Sequence, residues 1–132
     1  MQFDILTLFP DLIHTYASES ILGRAQNKKA ISIKAHNFRD FADNKRAHVD
    51  DKPYGGGPGM VLQVEPIYKC LKSIKSLKSA RSVKSKKTKV IIMDPAGKKF
   101  DQNMAEKLAK NCDRLVFVCG RYEGFDERIY KF

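Results

Sequence analysis

Tryptophan is absent from these 132 residues, and cysteine is limited to Cys70, Cys112 and Cys119. No two of them form a C-x-x-C pair, so a zinc site is disfavoured, and an odd count without a secretion signal points to reduced thiols. His14, His36 and His48 are scattered, with no H-E-x-x-H or equivalent spacing, and no metal is expected. No apolar run approaches the roughly 20 residues that span a bilayer. The N-terminus also lacks a basic region followed by an apolar one. A cytoplasmic protein with no membrane partner is the expectation.

Acid is missing from one stretch. Residues 69–89 hold nine Lys and Arg and no Asp or Glu, in a chain whose formal charge is +10. The other 111 residues carry 16 basic against 15 acidic side chains, a net of +1. The segment repeats a basic, small or polar, apolar triplet. A period of three drifts around a helix of 3.6 residues per turn, so only its first turns keep one apolar face. The plainer reading is a solvated, lysine-rich helix end running into a linker, and the sharper one is an arm that contacts phosphates.

Elsewhere the chain is well supplied for folding. Hydrophobic residues make up 42% and charged residues 30%, a balance suited to one globular domain with its own core. Phe3 to Leu8 reads as a buried strand, and Pro10 suits the first position of a helix. Ser20 is expected to cap a second helix, and Ile31 to Ala35 alternates as a strand does. Residues 37–59 read as a long loop. Glu65-Pro66 opens a helix with Ile67, Cys70, Leu71, Ile74 and Leu77 on its apolar face. The continuous run Val90-Ile91-Ile92-Met93 predicts a strand covered on both faces. Asp101 is the expected N-cap of a helix through Met104, Leu108 and Ala109. Leu115 to Cys119 is a further buried strand, and Phe125 onward reads as helix. Strands alternating with helices argue for an α/β fold, a mostly parallel sheet with flanking helices. The final helix carries no Gly, Asn or Pro stop signal, so the sequence is expected to stop inside an element.

Ligands of open α/β sheets bind beyond the carboxyl ends of the strands. Two loops fall there: Asp94-Pro95-Ala96-Gly97, and Gly120-Arg121-Tyr122-Glu123-Gly124. The second offers an aromatic face at Tyr122 and a carboxylate at Glu123, with glycines that allow close backbone approach. A third feature, Tyr54-Gly55-Gly56-Gly57-Pro58-Gly59-Met60, fits neither the G-x-G-x-x-G fingerprint nor a phosphate loop. Its backbone amides are free to meet a flat ligand, and Asp50-Asp51 just before it could supply a carboxylate. Ordinary turns and solvent-facing acids remain the alternative for all three.

Taken together, the segments resemble the bacterial tRNA (guanine-N1)-methyltransferase family. The matching strings are Leu8-Phe9-Pro10, Gly23-Arg24-Ala25, Arg39-Asp40-Phe41 and the run from Val49 to Met60. Pro95-x-Gly97-x-Lys99-x-Asp101-Gln102 and Cys119-Gly120-Arg121-Tyr122-Glu123-Gly124-Phe125-Asp126-Glu127-Arg128 complete the set. They cover about residues 1–68 and 90–130.

The resemblance implies the SPOUT class, an α/β sheet with a deep trefoil knot that holds S-adenosylmethionine in a bent shape. It implies a homodimer that methylates N1 of the guanosine just 3′ of the anticodon of tRNA. Met93, Asp94 and Pro95 would then line the adenosine pocket with Gly120, Tyr122 and Glu123, Glu123 lying near the charged methionine end. Asp50, Gly55, Gly56, Gly57, Pro58, Gly59 and Met60 would face the target guanosine or its neighbour. In that family the loop completing the knot, the catalytic aspartate and a helical tRNA-binding domain follow the C-G-R-Y-E-G string. They are expected beyond Phe132, which leaves residues 1–132 as the N-terminal, S-adenosylmethionine-binding α/β domain, with 69–89 inside it. The knot is expected to be incomplete and the catalytic base to lie outside this sequence. The alternative is an inactive remnant that dimerises or binds RNA.

Overall fold

The computed structural model describes residues 1–76 and 87–131. Four parallel strands form the main sheet: β1 (Gln2–Thr7), β2 (Ser32–Asn37), β5 (Lys87–Met93) and β6 (Cys112–Cys119), in the order β2-β1-β6-β5. A second, two-stranded antiparallel sheet pairs β3 (Asp50–Asp51) with β4 (Val61–Leu62). Helices α1 (Pro10–Ser18) and α2 (Ser20–Asn27) fill the crossover from β1 to β2, while α3 (Val64–Ser76) precedes β5 and α4 (Gln102–Asn111) joins β5 to β6. Parallel neighbours need crossovers of this length, so the order of elements in the sequence already requires the parallel sheet.

Alternation along the strands separates two apolar layers. Leu6 of β1 and Val116 and Val118 of β6 pack with Ile67, Cys70 and Ile74 of α3. Leu115 joins Leu108 of α4 and Cys112 on the other layer, with Phe3, Ile91 and Phe117 against them. The rings of Phe3 and Phe117 stack at 6.5 Å. The α3 layer also contains a buried polar group. Asp4 accepts from Arg114 Nε at 2.7 Å and from Gln2 Nε2 at 3.0 Å, and lies 2.8 Å from His36 Nε2. Arg114 also donates to the carbonyl of Ile74, tying the sheet to α3.

Several expectations hold. Pro10 opens α1, and Asp101 caps α4 by accepting from the backbone N–H of Met104 at 2.8 Å. Others need correction. Ser20 makes no cap: it is the first residue of α2, Glu19 precedes the helix without a side-chain bond, and Ser20 sits at φ +50°. The run Val90 to Met93 meets an apolar layer on each face, as expected, but it is an edge strand among the described residues and so only partly covered. Val90 is 37% and Met93 45% exposed. Its apolar run answers to the two layers beneath and above it, since Ile92 packs on one and Ile91 on the other. The long loop is more ordered than its composition indicates. It holds a 3-10 turn, Phe38–Phe41, and the strand β3, and it buries Phe38 and Val49 fully. The helix expected after Phe125 is a 3-10 helix, Glu127–Lys131. Lys87 and Lys89 belong to β5 and not to a linker. Leu77 and the rest of the basic segment between 77 and 86 lie outside the described residues.

Candidate functional site

The loops that leave β1, β6 and β5 lie side by side because their strands do. Leu6 is opposite Val118, and Met93 is opposite Cys119, so Phe9, Gly120 and Asp94 all follow the same edge of the sheet. That edge is the carboxyl end, where a parallel sheet offers its ligand crevice. Arg121 lies over the Phe9 ring at 4.7 Å and near the Tyr122 ring at 5.9 Å, a cation–π arrangement that bridges two of the loops.

The glycine-rich segment is the loop of the β3–β4 hairpin. Asp50 pairs with Leu62 and Asp51 with Val61, and residues 52–60 close the hairpin. Gly55, Gly56, Gly57 and Gly59 all have positive φ, between +84° and +123°, so the path is one that L side chains rarely follow. Gly59 is constrained twice, since a Cβ there would meet Glu123 Cγ at 2.5 Å.

The hairpin is joined to the Gly120–Asp126 turn by backbone bonds. Glu123 N–H donates to Met60 O at 3.0 Å, Leu62 N–H to Gly124 O at 2.9 Å, and Asp126 N–H to Leu62 O at 3.0 Å. Two strings more than sixty residues apart therefore form one rigid unit. Tyr122 adopts φ +60°, which turns the chain sharply within it.

Each expected residue has a definite place. Gly120, Tyr122 and Glu123 are exposed on the turn. Met93 is exposed at the end of β5, Pro95 is exposed and Asp94 is half-buried. Asp50 is half-buried in the hairpin, where its carbonyl accepts from Gln63 Nε2 at 3.2 Å. Gly55, Gly56, Gly57, Pro58 and Gly59 are exposed, and Met60 is half-buried.

The depressions around these loops are separate. Met93 and Asp94 border one of about 250 Å³ with Phe100 and Met104. Another, of about 570 Å³, runs beside the hairpin past Asp51, Tyr54, Tyr68, Asp126 and Arg128. An apolar cavity of about 420 Å³ lies between α3 and the sheet, lined by Ile67, Leu71, Val90, Ile92, Val118 and Tyr130.

Electrostatics sort the carboxylates. A hydrogen bond from the Tyr130 phenol, and a second from the Ala96 N–H, hold Asp94 below the usual aspartate range. The Arg128 guanidinium forks onto Asp126, with Nη2–Oδ2 at 2.6 Å, and Arg128 N–H adds a further bond. Together they hold Asp126 down to about 2, too weakly basic to take a proton at neutral pH. Burial raises the Cys70 thiol to about 12 and pushes Cys119 up as well, so neither is an activated nucleophile. Among the described residues, no cluster of three or more His, Cys, Asp or Glu could hold a metal ion. No described helix is long and apolar enough to cross a membrane.

Sequence reasoning missed Tyr130, Arg121 and Phe9 as parts of this cluster. Tyr130 and Asp94 are 36 residues apart, and no local spacing announces their bond. For Arg121 and Phe9 the signal was available, because both lie in loops that follow neighbouring parallel strands.

Known proteins share both the sequence and this arrangement. The tRNA (guanine-N(1)-)-methyltransferase of Enterococcus faecalis is 49% identical over 129 residues, covering 98% of this chain and 50% of that protein. The enzyme of the same description from Clostridium kluyveri is 45% identical over 132 residues, covering 100% of this chain and 50% of its own length. The crystal structure of tRNA (m1G37) methyltransferase from Aquifex aeolicus superposes with a TM-score of 0.85 at 37% identity, covering 99% of this chain and 56% of that one. The chain thus spans about half the length of the curated relatives it matches. Its mostly parallel sheet with flanking helices is the SPOUT-type arrangement that the resemblance implied. A family profile described as tRNA (Guanine-1)-methyltransferase TrmD matches residues 1–132, and the chain belongs to that family.

Proposed function

We propose that this chain is the methyl-donor-binding part of a tRNA guanine-N1 methyltransferase, using S-adenosylmethionine and acting as a homodimer in the cytoplasm on the guanosine just 3′ of the anticodon. The observation that supports this most is the backbone union of the glycine hairpin with the Gly120–Asp126 turn. It holds the loop we assign to the RNA and the loop we assign to the donor in fixed relation.

The donor set suits a cationic ligand with a flat ring. Glu123 and Asp94 present carboxylates from adjoining loops, Asp94 being held ionised, while Tyr122 gives an aromatic face and Gly120 open backbone. When bound, S-adenosylmethionine supplies a methyl already activated on a sulfonium. What the protein must contribute is in-line positioning of that carbon against the guanine. Met93, Asp94 and Pro95 would hold the ring, Glu123 the charged amino-acid end, and the exposed Gly55–Gly59 backbone the base. Guanine N1 carries a proton that must leave, and Asp126 is too acidic to take it. The base is assigned to none of these residues.

Calorimetry of the 132-residue chain with S-adenosylhomocysteine tests the reading. Weak, saturable binding is expected, reduced at least about tenfold by Glu123→Ala, as the loss of one charge-assisted contact requires. Binding that ignores Glu123→Ala would remove the turn from the donor site.

A further inference from the structure

Tyr130 connects the apolar cavity to the β5 loop. Its ring lines the cavity between α3 and the sheet, and its hydroxyl donates to Asp94 Oδ2 at 2.7 Å. Asp94 in turn organises its own loop. Oδ1 accepts from Ala96 N–H at 2.7 Å, and its carbonyl accepts from Gly97 N–H at 3.0 Å. One carboxylate thus holds the loop from inside and is itself held from the chain that follows the Gly120–Gly124 turn.

From this geometry we propose that Tyr130 is a positioning residue, whose phenol clasps Asp94 and so fixes the Met93–Gly97 loop in the shape the donor site requires. The proposal rests on the donor-site reading given above and adds a residue to it. The phenol is the correct partner chemically. Burial, and then the bond to Asp94, raise the Tyr130 hydroxyl to about 12, so it remains a donor at any working pH. Asp94, lowered by that same bond, remains an acceptor. With one lone pair on each oxygen engaged, the carboxylate cannot rotate freely, and its remaining lone pairs keep one direction toward a cationic or N–H-bearing ligand. The groups facing the carboxylate are the Tyr130 hydroxyl and the Ala96 N–H, and Glu127 stands close enough to act on Tyr130 by charge.

Tyr130→Phe isolates the hydroxyl, because the ring stays in the cavity wall. Hydrogen exchange at the Ala96 and Gly97 amides should quicken severalfold in this variant, with amides of β6 unchanged. Affinity for S-adenosylhomocysteine should fall about tenfold, the value of one hydrogen bond to a charged group. The pH profile separates positioning from packing. Asp94 is depressed by the phenol, so without it protonation begins at a higher pH. As pH falls, Tyr130→Phe should therefore lose affinity at a higher pH than the unaltered chain does. Asp94→Asn should keep the slow exchange, since its amide oxygen still accepts from Tyr130, while that pH dependence disappears. Unchanged exchange and affinity in Tyr130→Phe would overturn the clasp. If the unaltered chain binds no S-adenosylhomocysteine, the donor-site reading fails, and the exchange comparison alone then supports or overturns the clasp.

Discussion

At the residue scale the most demanding feature is Asp4, which is 1% exposed yet charged. Burial alone would push its carboxyl up, but the bonds from Arg114 and His36, with their charges, more than reverse this and lower it. A depressed carboxyl stabilises the fold above the ordinary aspartate value of about 3.9 and loses that contribution as pH falls through it. Arg114→Met removes the larger partner and leaves the carboxylate buried, at a cost of about 3–5 kcal/mol at pH 7. In that variant the lowering from Arg114 is gone while burial and the His36 contact remain, so the Asp4 carboxyl moves up from its depressed position. It then takes up its proton at a higher pH than in the unaltered chain, and the stability gap should narrow as pH drops from 7 toward 4.5. Adding Asp4→Asn should restore part of the loss, a coupling of the size expected for residues in contact. Urea midpoints of the two single variants and the double variant at both pH values decide this. Equal gaps at pH 7 and pH 4.5 would mean that Asp4 carries no buried charge.

Elements were legible where a local rule sufficed, and α4 shows the rule succeeding. Asp101 accepts from Met104 N–H, so Asp101→Ala should lower stability by about 1 kcal/mol. Ser20, the same kind of residue ahead of an apolar pair, makes no such bond. Ser20→Ala should stay within about 0.5 kcal/mol, the range of an ordinary surface change. Thermal melts of the two variants side by side test the contrast, and equal losses would mean the caps are wrongly assigned. The difference lies in the chain before each helix. Asp101 itself holds the extended N-cap position of α4, at φ −119°, whereas at α2 that position belongs to Glu19, and Ser20, at φ +50°, is already the first helical residue. Strand β5 shows a different limit. Four apolar residues in a row identify a strand between two layers, and nothing in that run says whether a further strand lies beside it. The union of the glycine hairpin with the Gly120–Asp126 turn was hidden for the same reason. The strings could be recognised singly, but their backbone bonds belong to no local pattern. Tyr130 is the extreme case, since its role depends entirely on where a distant loop arrives.

For the molecule as a whole, the +10 charge invites an RNA-binding arm, yet Lys69 and Lys72 of the basic segment are already engaged within the fold. Lys69 pairs with Asp43 and Glu65, the Lys72 ammonium lies 5.0 Å over the Tyr68 ring, and Lys87 and Lys89 are strand residues. That leaves Lys75 and, beyond α3, Lys78, Arg81, Lys84 and Lys86, the last four outside the described residues. The proposed function puts the base-facing contacts on the glycine hairpin, which lies outside this segment. Replacing those last four with Ser should therefore leave the salt dependence of binding to an anticodon stem-loop unchanged, measured from low salt upward. Each phosphate contact truly lost would lower the slope of log K against log salt by about 0.7 to 0.9, so four would lower it by about 3. A fall of that size would place the arm on the RNA and favour a remnant that binds by charge. An unchanged slope would remove the arm from the proposed RNA site and leave the proposed base contacts to the glycine hairpin.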